Sequence, residues 1–276
     1  MEYIIVADSS ADLGHMATPG FRSVPLKIVT DEKEFVDDSQ LDLDALLDYL
    51  AGYKGRSGSS CPSVGDWLEA FGDAEAVFVV AITSGLSGSY NAAVQAAGVY
   101  MEQHPDRKVC CLDSLSAGPE LALTVEKLQE LIGAGLSFEE TEIQIRAYMK
   151  TTHLLFSLES LNNLARNGRV STLVAKAAGL LGIRVVGKAS NEGTLQPMHK
   201  ARGESKAMAV IAREIREAGF RGGKVRIDHC RNEAAADALA GLIRDDFPDA
   251  DIKIGLCSGL CSFYAEKGGL LVGFEA

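Results

Sequence analysis

Two short hydroxyl-rich segments hold the residues whose types and spacing point to chemistry. One is Ser57-Gly58-Ser59-Ser60-Cys61-Pro62-Ser63; the other is Thr83-Ser84-Gly85-Leu86-Ser87-Gly88-Ser89. Each stands just ahead of a segment of helical period, and the second follows an apolar run that ends at Ile82. Strand, hydroxyl turn and helix N-terminus together place O–H and N–H donors on the carboxyl edge of a parallel sheet, where open α/β folds bind ligands. Capping is the simpler account of any one of these serines, and Ser63 with Asp66 has the spacing of a capping box. It accounts for one serine per helix and leaves five or six hydroxyls in two turns to explain.

Rival chemistries fit less well. Gly85-Leu86-Ser87-Gly88-Ser89 nearly spells the G-x-S-x-G elbow of serine hydrolases, with Ser89 where the last glycine belongs, so a serine-dependent ester hydrolase using Ser87 is the alternative reading. None of the five histidines, His15, His104, His153, His199 and His229, is an evident base for it. Gly222-Gly223-Lys224 lacks the glycine spacing and the Ser/Thr of a phosphate loop. Asp8-Ser9-Ser10-Ala11-Asp12 has its second Asp four positions on rather than two, and reads as capping chemistry at a strand end. Six cysteines without paired zinc-ligand spacing read as reduced thiols, so neither a metal nor a cofactor is expected.

The elements that must position these turns follow from periodicity. Strand-length apolar runs alternate with helix-period segments, as a parallel sheet with crossover helices requires. Strands are expected at 3–7, 24–29, 76–82 and 108–112, with helices at 42–50, 65–71, 88–103, 120–132 and 139–151. From residue 153 a second half alternates likewise, with a hairpin turning at Asn191-Glu192-Gly193. The expectation is an α/β protein of two domains: an N-terminal parallel α/β/α sandwich over residues 1–155, and a C-terminal mixed-sheet domain over 156–276 that closes a cleft against it.

The chain has 276 residues, 27 Lys+Arg against 38 Asp+Glu and a formal charge of −11. That acidity, with no basic run, disfavours nucleic acid and anionic membranes. No apolar stretch reaches the roughly 18 residues of a membrane span. The expectation is a cytoplasmic protein without stable membrane insertion.

With these motifs in place, the chain resembles the DegV family, whose members resemble the fatty-acid-binding subunit of bacterial fatty acid kinase. The resemblance runs through Ile5 to Leu13, through Ser59-Ser60-Cys61-Pro62-Ser63 where the family has Thr-Ser-Gln-Pro-Ser, and through Leu86-Ser87-Gly88-Ser89-Tyr90. Leu112-Asp113-Ser114, Asn167-Gly168-Arg169 and Lys200-Ala201-Arg202 continue it. It implies a long-chain fatty acid in a buried tunnel, its carboxylate held by Ser60 and Ser87 with Ser59 and Ser84 as neighbours. It also implies a separate kinase as partner, the chain itself being no catalyst, with Arg169 and Arg202 near the mouth or at the docking surface. One departure is Cys257, which stands where the family commonly has a histidine facing the ligand's carboxyl end; this leaves lipid binding intact in principle and bears on acyl-phosphate chemistry.

Overall fold

The computed structural model describes residues 2–14, 20–172 and 182–276; His15 lies outside them. A four-stranded, wholly parallel sheet has the order β2-β1-β6-β7, formed by β1 (Tyr3–Asp8), β2 (Phe21–Val24), β6 (Ala76–Ala81) and β7 (Lys108–Asp113). Its central strand β6 is buried at every position, Ala-Val-Phe-Val-Val-Ala, because helices cover both faces. On one face α2 (Val64–Phe71) and α3 (Ser89–Gln103) supply Trp67, Phe71, Ala93, Ala96 and Tyr100. On the other, α4 (Pro119–Gly133) and α5 (Phe138–Tyr148) supply Leu121, Val125, Leu128, Phe138 and Ile145.

The second sheet is mixed and six-stranded, with the order β10-β9-β8-β13-β11-β12. It comprises β8 (Thr152–Leu158), β9 (Ile183–Ala189), β10 (Leu195–Arg202), β11 (Lys224–His229), β12 (Asp251–Leu256) and β13 (Leu270–Glu275). All neighbours run antiparallel except β11 and β12. The expected hairpin at Asn191–Gly193 joins β9 to β10, with Gly193 at φ +71. Helices α7 (Glu204–Glu217) and α8 (Glu233–Asp246) cover one face of this sheet. Strand β8 straddles the boundary expected at residue 155.

Two expectations are corrected. Residues 24–29 do not form one strand: Pro25, which has no N–H to donate, separates β2 from β3 (Lys27–Thr30), and β3 pairs antiparallel with β4 (Glu34–Val36) and β5 (Ser57–Ser60) in a third sheet. The first serine segment is therefore not wholly a turn, since Ser57 to Ser60 are strand β5. Its ladder to β3 satisfies a backbone that Gly and Ser would otherwise leave in loop conformations.

Helix α9 (Gly259–Ala265) packs against α1 (Leu43–Gly52), α6 (Asn162–Arg166) and β3. Helix α9 is seated by the first half of the chain. Asp37 accepts from Gly259 N (2.6 Å) and Leu260 N (3.0 Å), and Asp12 accepts from Ser258 N (2.8 Å) and Ser258 Oγ (2.5 Å). These carboxylates satisfy N–H groups that the first turn of α9 cannot satisfy itself.

Candidate functional site

The second serine turn follows β6 on the carboxyl edge of the parallel sheet. Asp8, at the end of β1, organises it by accepting from Ile82 N (2.9 Å) and Ser89 Oγ (2.6 Å) as well as from Ser10. Burial pushes the Asp8 carboxyl above its usual range, and the donated hydrogen bonds oppose that rise. Thr83 donates to Gly193 O (2.9 Å), and a Cβ on Gly85 would stand 2.9 Å from the same carbonyl oxygen, so the β9–β10 hairpin packs directly on the turn. Ser87 Oγ accepts from Ser89 N (3.2 Å) at the start of α3. As an acceptor there, it keeps its own proton free to donate.

The first serine segment reaches the same place from the three-stranded sheet. Side chains alternate along β5, so Ser59 and Ser60 face opposite ways. Ser59 is half-buried and its Oγ lies 2.7 Å from the Tyr264 hydroxyl of α9, whereas Ser60 is exposed. After β5, Pro62 and the Ser63–Asp66 capping box start α2 as expected. A Cβ on Gly88 would lie 3.2 Å from Cys61 Sγ, which shows how closely the two serine segments abut.

Between them opens an apolar cavity. Ser59, Ser87, Arg169 and Tyr264 line one part of it; the rest is Leu26, Ile82, Leu86, Ala117, Leu154, Phe156, Leu158, Leu164, Leu195, Leu260, Cys261, Ala265 and Leu271. Its wall thus draws on all three sheets or their flanking segments and on α9. The void is about 80 Å³. That is well below the roughly 300 Å³ of small ligand pockets, so an occupant of any length must part the leucine walls.

Among the described residues of that wall, Arg169 is the one charged side chain. Its Nε donates to Leu86 O (3.2 Å) and its Nη1 to Asn167 O (2.5 Å), and the guanidinium stands 5.7 Å from the centre of the Tyr264 ring. It forms no ion pair among the described residues. The segment before it is tied to β5, where Asn167 Nδ2 donates to Ser57 O (3.3 Å). Arg169 therefore bridges both serine segments.

Of the residues singled out from the sequence, Ser59, Ser87 and Arg169 meet at this cavity. Ser84 does not line it: exposed on the rim, it gives its hydroxyl to Asp113 Oδ2 (2.5 Å). Ser60 and Arg202, the latter exposed at the end of edge strand β10, also lie outside the wall. Cys257 is fully buried in a cluster with Cys230, Cys261 and Leu271, and burial, followed by the nearby Asp12 and Asp228, raises its thiol well above the ordinary range. It is a packing group at that position rather than a residue at a mouth. Sequence reasoning missed Tyr264; its spacing of four from Leu260 and three from Cys261, the helical period, is the signal that marks the three as one face of α9.

No helix among the described residues is long and apolar enough to cross a membrane. The family model described as "Uncharacterised protein, DegV family" matches residues 3–276. A DegV domain-containing protein of Streptococcus pneumoniae is 48% identical over 279 residues, covering 100% of this chain and 99% of that protein. Among solved structures, the Streptococcus pneumoniae fatty acid kinase B3 protein loaded with linoleic acid superposes with a TM-score of 0.98 at 48% identity, covering 100% of this chain and 99% of that one. A DegV family protein of Eubacterium eligens loaded with heptadecanoic acid gives 0.97 at 47% identity, with 99% of each chain covered.

Proposed function

The chain belongs to the DegV family, and from that premise we propose that it binds a long-chain fatty acid with the carboxylate at Ser59, Ser87 and Arg169, and presents it to a separate kinase. The observation that carries this reading is the polarity of one cavity: hydrocarbon dominates its walls, except where the hydroxyls of Ser59, Ser87 and Tyr264 converge with a guanidinium that has no carboxylate partner among the described residues. About 14 buried methylenes at ~0.8 kcal/mol each give a gross transfer term on the order of 11 kcal/mol, before ordering and association costs. Affinity comes from the tail. A desolvated carboxylate would cancel much of it, so charge-assisted hydrogen bonds must replace its water. Ser87 and Ser59 offer O–H donors, and Arg169 offers opposite charge.

The protein is read as a non-catalytic binding subunit. Among the described residues no lining side chain is a histidine or a carboxylate, so none of these takes the proton that a nucleophilic serine must lose. The hydrolase alternative requires turnover of a p-nitrophenyl ester and covalent capture of a fluorophosphonate at Ser87. Arg202 remains a candidate contact for the kinase.

Ser59→Ala combined with Ser87→Ala is expected to weaken fatty-acid binding 10-fold or more without unfolding the protein, on about 1.5–3 kcal/mol per hydrogen bond to a charged group. Ser60→Ala, on the exposed side of β5, is expected to stay within two-fold. Titration calorimetry with a long-chain acid reads both. Equal affinity in the double variant, or a larger loss at Ser60 than at Ser59, would move the carboxylate elsewhere. Native mass spectrometry of the purified protein gives an independent check, since a retained long-chain acid adds its own mass.

A further inference from the structure

We propose that Tyr264 is the positioning residue of the head-group site: it orients and polarises the Ser59 hydroxyl toward a carboxylate. The inference rests on the reading that an acid binds here. Ser59 Oγ and the Tyr264 hydroxyl are 2.7 Å apart, the usual length of a good O–H···O bond, and both residues line the cavity. Two hydroxyls joined by one hydrogen bond use one proton between them and leave the other free. The phenol is the stronger acid and donates to Ser59, so the Ser59 proton turns into the cavity.

This gives a short series from Tyr264 O–H to Ser59 O–H to the bound anion, in which each bond strengthens the next. The ring is held so that this direction persists. Phe263 meets it edge-on at 4.8 Å, Arg169 lies over it at 5.7 Å, and Leu26 and Leu260 pack beside it. Tyr264 therefore touches a donor from β5 and the cation after α6 while belonging to α9. A polarised donor favours an anion far more than a neutral alcohol, so the contribution of Tyr264 must be specific to acids. A ring that only shaped the cavity would serve both ligands alike.

The test measures tetradecanoic acid and 1-tetradecanol by competition against one fluorescent acid, on wild type, Tyr264→Phe, Ser59→Ala and the double variant. Tyr264→Phe is expected to weaken the acid 3- to 10-fold and the alcohol less than two-fold. In the Ser59→Ala background it should cost the acid less than a further two-fold, because the hydroxyl it acts through is gone. Equal losses for acid and alcohol, no loss for the acid, or the full loss persisting without Ser59 would each overturn the assignment. Should Tyr264→Phe not fold, Tyr264→Leu takes its place with the same selectivity expected. A wild-type protein that binds no acid overturns the functional reading itself, a result distinct from normal wild-type binding with an indifferent Tyr264 variant.

Discussion

Among single residues, Asp12 is a buried carboxyl whose surroundings hold its proton. It takes two hydrogen bonds from Ser258 through Oδ1, and the Cys261 thiol stands beside it as a weak further donor. Burial, with a smaller contribution from Asp37, pushes its carboxyl up to about 7, against an ordinary value of about 4. Asp37 and Asp228, buried near it, are raised as well, burial again being the largest cause. The sign of the effect on stability follows from proton counts. Between about pH 4 and pH 7 folded Asp12 keeps a proton that the unfolded chain has released, so its contribution is fully present below that window and is lost as the pH rises through 7. Asp12→Asn removes this one term and leaves the other carboxylates in place. Urea unfolding at pH 4.5, 6 and 7.5 should therefore show wild type losing stability relative to the variant with rising pH; parallel curves would mean that Asp12 titrates at its ordinary value.

Among the elements, helix α4 governs how the two larger sheets meet. Pro119 to Val125 are buried without interruption, because the helix is covered by the parallel sheet on one side and by β8, β11 and β13 on the other. It approaches β13 at Gly273, where an added Cβ would lie 2.6 Å from the Pro119 carbonyl carbon and 2.7 Å from Glu120 N. Those are backbone atoms and cannot swing aside. Gly273→Ala is expected to destabilise the protein by about 1–3 kcal/mol through overpacking, read as a lower urea midpoint at an unchanged slope. Much at this scale was legible in the sequence. The long apolar periods of α4, β6 and β7 and the Asn191-Glu192-Gly193 turn appear where their patterns place them. Strand β5 was not legible, because Ser-Gly-Ser-Ser has neither apolar alternation nor β-branched residues, and only its tertiary ladder to β3 makes it a strand. That also hid which serine faces inward: Ser59 and Ser60 are equivalent as turn residues and opposite as strand residues.

On the scale of the whole molecule, the halves are joined by polar contacts as well as by shape. Arg226 on β11 makes a two-pronged pair with Glu126 of α4 (2.8 and 2.7 Å) and also reaches Asp251 (2.9 Å). These pairs are partly buried, and removing one partner strands the other. Glu126→Gln is therefore expected to cost about 1–3 kcal/mol and to lower the melting temperature of the whole chain in a single transition, not of one half alone. Ligand acts in the other direction: at 100-fold excess over the dissociation constant, an acid held by all three sheets should add about 2.7 kcal/mol and raise that same transition. Differential scanning calorimetry of stripped and loaded protein reads both effects. Of the six cysteines only Cys61 is exposed, and it sits where the two serine segments abut. A maleimide dye would consequently attach at the threshold of the cavity, so that its emission tracks occupancy directly and lipid exchange can be timed in a stopped-flow cuvette without a labelled lipid.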